Sequence, residues 1–189
     1  MIIIISGNAG SGKSTISKKL AKKLGFDYIS TGEMQRNLAK KLNLSIYELG
    51  KLEAKDKSYD LKIDNELVSY VKNNNGKNIV IDSWVASHFI KDAVKIFLTA
   101  DLETRAKRIL SHSRETERLS TIEDAKKEIT KREETNQRRW LSYYGFDYMD
   151  KKNYDYIIDT TELSIEEVIS RIEKIIKTIK EQQKQPGAR

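Results

Sequence analysis

The chain opens Met1-Ile2-Ile3-Ile4-Ile5-Ser6-Gly7-Asn8-Ala9-Gly10-Ser11-Gly12-Lys13-Ser14-Thr15, and the reading of this stretch decides the fold. Residues 1–6 are an apolar run without alternation, the pattern of a strand buried on both faces inside a parallel sheet. The run stops at a glycine. Residues 7–14 then fit G-x-x-x-x-G-K-[ST]. Behind them Ile16, Leu20 and Leu24 recur at helical spacing, with Gly25 as the stop. Strand, glycine-rich loop and helix are the context that a phosphate-binding loop needs. Backbone amides from about residue 10 to residue 14 can point at a phosphate, and the helix N-terminus favours an anion. Lys13 can reach the β- and γ-phosphates, and the Ser14 hydroxyl suits a hard cation such as Mg²⁺. Gly7, Asn8, Ala9, Gly10, Ser11, Gly12, Lys13, Ser14 and Thr15 are therefore the candidate ATP site.

The pattern repeats outward. Apolar runs at 26–29, 78–83, 93–99 and 154–159 read as four more strands. Helical patterns lie between them, at 34–42, 60–72, 102–110 and 121–144, the last ending at Gly145. Two further helices start with capping boxes, Ser45-Ile46-Tyr47-Glu48 and Ser164-Ile165-Glu166-Glu167. The second carries Ile165, Val168, Ile169, Ile172, Ile175, Ile176 and Ile179 as one apolar stripe. Strands alternating with helices predict an α/β, three-layer, doubly wound fold on a parallel five-stranded sheet. Residues 1–181 are expected to form one domain, with 182–189 a disordered tail.

Composition excludes several function classes. With no cysteine among 189 residues, disulfide scaffolds and thiolate zinc sites are ruled out. Two histidines, His88 and His112, make an imidazole-rich metal site a poor expectation. No apolar run approaches the roughly 20 residues of a membrane span, and the N-terminal run is too short for a signal peptide. These features point to a soluble, cytoplasmic protein. The formal charge of +7 points to an anionic partner. The cluster Lys18-Lys19…Lys22-Lys23 lies opposite Ile16, Leu20 and Leu24, so a solvated helix face accounts for it. No nucleic-acid-reading module is recognisable.

Two features look beyond the loop. Asp82 closes the strand at 78–83, where it can act on Mg²⁺ through water or serve as an ordinary cap. After the strand at 26–29 comes Ser30-Thr31-Gly32-Glu33-Met34-Gln35-Arg36. Arg36 falls just over a turn into the next helix, from which a guanidinium can grip a phosphate bidentately.

The loop together with Ser30-Thr31-Gly32…Arg36 resembles the nucleoside monophosphate kinases. The second half narrows the resemblance: Leu102-Glu103-Thr104-Arg105-Ala106-Lys107-Arg108, Lys131-Arg132-Glu133-Glu134…Arg138-Arg139-Trp140, Tyr143-Tyr144-Gly145-Phe146-Asp147 and Tyr154-Asp155-Tyr156-Ile157-Ile158-Asp159-Thr160. This order is similar to that of the short archaeal-type cytidylate kinases. The resemblance implies an adenylate-kinase-like fold, with a nucleoside-monophosphate-binding helical insert at about 31–75 and a short helical lid at about 109–131. It implies transfer of the γ-phosphoryl of ATP to CMP or dCMP, with UMP or AMP as alternative acceptors. It assigns Lys13 and Ser14 to ATP and Mg²⁺, Thr31 and Arg36 to CMP, and Arg105, Arg108, Arg132 and Arg139 to the lid and the transferred group. Thr160 falls at the adenine-side loop, and Asp82 joins the CMP pocket. Asp60 and Asp64 match acidic positions that either accept from an exocyclic amine or are plain solvent-facing helix residues. Arg114, Arg118 and Arg138 read as surface residues. The expected partners are small-molecule nucleotides, not nucleic acid or membrane, and the expected state is a monomer.

Three departures stand out. Asp82-Ser83-Trp84 replaces an acidic-Gly-Arg sequence, Asn65-Glu66-Leu67 replaces Arg-Arg-Gln, and Asn136 replaces an acidic residue. The first two fall where the family reads its pyrimidine. Trp84 either stacks on a base or packs under a helix, and packing is the expectation.

Overall fold

The computed structural model describes residues 1–111 and 121–183. Most of the expected lid turn at 111–120, with Arg114 and Arg118, lies outside the described residues, as does the tail from residue 184. The five expected strands form: β1 (Ile2–Gly7), β2 (Asp27–Ser30), β3 (Ile79–Asp82), β4 (Val94–Thr99) and β5 (Tyr156–Asp159). They pair in parallel in the order β2-β3-β1-β4-β5. The unbroken isoleucine run of β1 follows from its central place. Ile3 and Ile5 pack on one face with α1 (Lys13–Leu24) and α8 (Ile165–Gln183), beside Ile16, Leu20, Ile169 and Ile172. Ile4 faces the other side, against α2 (Thr31–Lys41), α4 (Ser58–Asn73) and α5 (Ala86–Phe89), beside Met34, Ile63 and Leu67. Each such buried side chain contributes about 1.5–3 kcal/mol.

The remaining helices are α3 (Ile46–Glu53), α6 (Leu102–Ser111) and α7 (Ile122–Tyr144), with a short 3₁₀ turn at Lys151–Asn153. Both capping boxes form: Ser45 with Glu48 and Ser164 with Glu167. α7 is capped by Thr121, whose hydroxyl accepts from the Asp124 amide, and ends on Gly145 at φ 62°. Several boundaries differ from expectation, three of them at helices by two residues or more. α2 begins at Thr31 because the Ser30 side chain accepts from the Glu33 amide and caps it there. α4 begins two residues early, at Ser58, after an Asp56 carboxylate that accepts the Ser58 amide at 2.8 Å. α8 runs through Gln183, so the tail expected from residue 182 is helical over its first two positions.

Register places the functional edge. Gly7 of β1, Ser30 of β2, Asp82 of β3, Thr99 of β4 and Asp159 of β5 all end at one rim of the sheet. The strand order changes direction around β1, and ligands of open parallel sheets bind in the crevice beyond such a point. No helix among the described residues is long and apolar enough to cross a membrane.

Candidate functional site

A cavity of about 710 Å³ opens at that rim. Its wall takes Ala9, Gly10, Ser11, Gly12, Lys13, Ser14 and Thr15 from the loop, Thr31 and Arg36 from α2, Asp60 and Asp64 from α4, and Asp82 from β3. Arg108, Arg132, Arg139 and Thr160 complete the set of predicted residues that the fold gathers there. Gly7, Asn8 and Arg105, expected to touch nucleotide, are not part of this wall. Gly7 is at φ 141°, and a Cβ on it would sit 2.0 Å from the Leu98 carbonyl oxygen. Its glycine is needed for close approach of β4. Gly10 is similar, since its Cβ would meet the Arg105 carbonyl oxygen at 2.8 Å. The Arg105 side chain is 8% exposed and turned inward: Nη1 donates to Glu133 at 2.8 Å and to the Ala9 carbonyl at 3.3 Å. It braces the loop from behind, because burial of a guanidinium requires a carboxylate and carbonyl partners more than an open cavity.

Glu133 completes that brace. Its Oε1 accepts from the Ala9 amide at 2.8 Å, the Asn8 side-chain amide at 3.1 Å and Arg105. On the opposite flank, the Thr160 hydroxyl lies 3.2 Å from the Ser11 carbonyl and 3.0 Å from the Thr99 carbonyl. Arg108 donates to the same hydroxyl at 3.0 Å and to the Thr160 carbonyl at 2.6 Å. The loop is thus fixed in shape by α7, α6 and the segment after β5, with the α1 N-terminus facing the cavity. Gly12 caps α1 at φ 92° with no side-chain cap bond, so the first helical amides keep no side chain over them.

Inside the loop, Lys13 Nζ donates to the Asn8 carbonyl at 2.8 Å. Burial lowers its pKa to about 8, with Arg132 adding to the effect and Asp82 opposing it. Ser14 Oγ donates to Asp82 Oδ2 at 2.6 Å, and Ser30 Oγ reaches the same oxygen at 3.2 Å. Asp82 is 6% exposed, so β3 delivers a buried carboxylate to the hydroxyl of the loop.

The far end of the cavity is acidic, buried and built from four helices. Gln35 of α2 donates both ways to Glu53 of α3, at 2.8 and 2.7 Å. Arg139 of α7 donates to Glu53 at 3.0 Å and lies 3.4 Å from Asp60 Oδ1. Trp140 Nε1 donates to that same Asp60 oxygen at 3.3 Å, and the Tyr144 hydroxyl donates to Asp64. Asp60 and Asp64 are 6% and 5% exposed, which excludes a solvent-facing reading. Burial pushes the carboxyls of Glu53 and Asp60 up against the pull of Arg139, and raises Asp64 to about 6. Asp60 Oδ2 is buried with no hydrogen-bond partner. The roles of Gln35, Glu53, Trp140 and Tyr144 escape sequence reasoning, because no local spacing marks contacts that close over 18 residues for Gln35 and Glu53 and over 80 or more for the others.

Trp84 packs as expected, stacked on Tyr148 at 5.4 Å and edge-on to Trp140 at 5.5 Å. It also lines the cavity. Ser83 lines the cavity as well, with its hydroxyl accepting the amides of Val85 and Ala86 at 3.2 and 3.1 Å.

Comparison with known proteins identifies the family and the fold. Residues 2–162 match the model of a family described as cytidylate kinase-like. The cytidylate kinase of Sulfurisphaera tokodaii is 39% identical over 175 residues, covering 92% of this chain and 93% of the relative. That of Sulfolobus acidocaldarius is 39% identical over 179 residues, covering 93% and 94%. Among solved structures, shikimate kinase from Bacteroides thetaiotaomicron superposes with a TM-score of 0.65 at 18% identity, over 94% of this chain and 98% of that one. The fold is that of the P-loop kinases.

Proposed function

The chain belongs to the cytidylate kinase-like family, and on that premise we propose that it transfers the γ-phosphoryl group of MgATP to CMP or dCMP, yielding ADP and CDP or dCDP. The observation that carries the reading is one cavity with a phosphate loop at one end and buried carboxylates plus arginines at the other. The two ends match a triphosphate donor and a phosphorylated, amine-bearing acceptor.

In this reading Lys13 and the amides at the start of α1 hold the donor phosphates, and Arg108 with Thr160 marks the adenine side. Arg36 takes the acceptor phosphate, with Thr31 beside it, and Arg132 faces the transferred group. Arg139 is fixed by Glu53 and Asp60 and so presents a rigid guanidinium to the acceptor. Asp60 Oδ2 lacks a partner and is suited to accept from the cytosine amine. Uracil would turn a carbonyl oxygen toward the same carboxylate, an unfavourable pairing of acceptors. A hydroxyl and a carboxylate in contact, Ser14 and Asp82, suit Mg²⁺, with Ser14 as ligand and Asp82 acting through water. The ion would neutralise charge on the phosphates.

Phosphoryl transfer is governed by alignment and charge stabilisation. The acceptor phosphate is already an anion at neutral pH, so no side chain is needed as a strong base.

The test offers purified protein ATP, Mg²⁺ and CMP, dCMP, UMP, AMP or GMP one at a time, with ADP release as the readout. CMP or dCMP should stimulate release at least about tenfold more than UMP, the discrimination expected of one buried polar contact. No stimulation by any of the five, or preference for a purine, overturns the reading.

A further inference from the structure

Trp84 stands directly after Asp82 and Ser83, in the stretch that departs from the acidic-Gly-Arg pattern. Two cations from different parts of the chain converge on its ring. Lys13 Nζ, from the start of α1, lies 5.0 Å from the ring centroid. Arg132 Cζ, from the middle of α7, also lies 5.0 Å from it. Tyr148, fully buried, stacks on the indole from behind at an interplanar angle of 20°, so the cations approach from the cavity side. Trp140 holds the ring edge-on, and the Trp84 carbonyl accepts from Ser6 of β1 at 3.3 Å. The platform is therefore fixed on three sides.

Two like charges that converge on one ring repel each other. The Asp82 carboxylate, bonded to Ser14 beside Lys13, offsets part of that repulsion, and the ring adds to it. An indole face is the best aromatic partner for a cation, and its quadrupole attracts both. Arg132 is exposed to solvent, so without the ring its long side chain would sample many positions.

We infer that Trp84 is a positioning residue for phosphoryl transfer, whose indole gathers Lys13 and Arg132 to one point before nucleotide binds. The inference rests on the kinase reading above. The cations then stand where negative charge gathers on the transferred group, with little reorganisation left to do. No covalent step passes through the indole.

The test compares W84L with W84F and W84Y in steady-state assays with CMP. Loss of the ring should lower kcat about tenfold, the size expected for two cation–π contacts together, with the KM for CMP within about twofold. W84F and W84Y should keep at least about a third of wild-type kcat, since either ring supplies a quadrupole. The decisive arm combines W84L with R132A: because Arg132 is one of the two cations that the indole gathers, W84L should cost at least about threefold less in that background. A loss of equal size in both backgrounds, or equal activity of the aromatic and aliphatic variants, overturns the inference and leaves the kinase reading intact. Failure of the wild-type protein to phosphorylate any monophosphate overturns both. Should W84L not fold, the emission of W140F decides, because Trp84 is then the sole tryptophan. Adding R132A should change that emission, and an unchanged spectrum overturns the inference.

Discussion

Asp60 has one carboxylate oxygen engaged and the other without a partner. Oδ1 accepts from Trp140 Nε1 and lies near Arg139, while Oδ2 is buried at the acceptor end of the cavity. Leaving a buried acceptor unpaired costs about 1–3 kcal/mol, which a ligand amine would recover. In the D60N variant, the ratio of kcat/KM for CMP over UMP should fall about tenfold or more, because an asparagine amide serves a uracil carbonyl as well as a cytosine amine. An unchanged ratio, measured by ADP release with each acceptor, would place base selection elsewhere. The variant should fold normally, since an asparagine oxygen still accepts from Trp140 and Arg139 stays paired with Glu53. At this scale legibility was uneven. Lys13 and Ser14 were readable because their partners lie within one contiguous motif. Asp60 was visible only as a candidate, since its burial depends on α7 packing over α4. Arg105 looked like a nucleotide ligand but turns its guanidinium away, toward a glutamate 28 residues further on.

α7 is the element that joins the two ends of the site. Arg132 and Glu133 point to the loop end, while Arg139, Trp140, Tyr143 and Tyr144 reach Glu53, Asp60 and Asp64. These positions, seven and eleven residues apart, recur on one side of a helix with 3.6 residues per turn. Its stop at Gly145 was legible from sequence, and so was its length to within one residue, Thr121 being the cap and not the first helical residue. The acidic surface it docks on was not, because α3 and α4 precede it by some 80 residues and show only ordinary helical charge patterning. Glu133 is where the helix meets the loop. Replacing it with glutamine breaks a largely buried ion pair with Arg105 and weakens the bond to the Ala9 amide. The E133Q variant should lose about 2–3 kcal/mol of stability in denaturant unfolding. Its KM for ATP should rise severalfold, with the KM for CMP unchanged. Equal increases for both substrates would show that α7 does not act through the loop.

Across the whole molecule, charge is divided into two populations that respond oppositely to acid. On the surface, Lys18, Lys19 and Lys23 pair with Glu33, Glu166 and Glu173, in exposed contacts worth little individually. Hydrogen bonds from nearby lysines hold Glu103 and Glu166 below the ordinary carboxylate range, and hydrogen bonds from Ser164 hold Glu167 there. Their stabilisation is present at neutral pH and is lost only in strong acid. Asp64 behaves in the reverse sense. Desolvation raises its pKa from 3.8 to about 6, with Asp60 and Glu53 adding to the rise and Tyr144 and Arg139 opposing it. Between those two values the folded state holds a proton that the unfolded chain has released, so stability falls as pH rises through that window. At neutral pH the cost is on the order of 3 kcal/mol. His88, lowered by burial, works against this trend in part of the same range. A variant that removes only the Asp64 term isolates it. D64N cannot ionise yet keeps an acceptor for the Tyr144 hydroxyl, so it should melt several degrees above the wild type at pH 7.5, given about 2–4 °C per kcal/mol at this size. The gap should close as pH is lowered toward 4.5, where the wild-type carboxyl is itself neutral. Circular dichroism melts of the two proteins across pH 4.5–8 measure it, and a gap that stays constant with pH would show that Asp64 ionises without penalty. A stability gain at pH 7.5 with reduced turnover of CMP would mean that the buried charge is retained for the acceptor, at the expense of the fold.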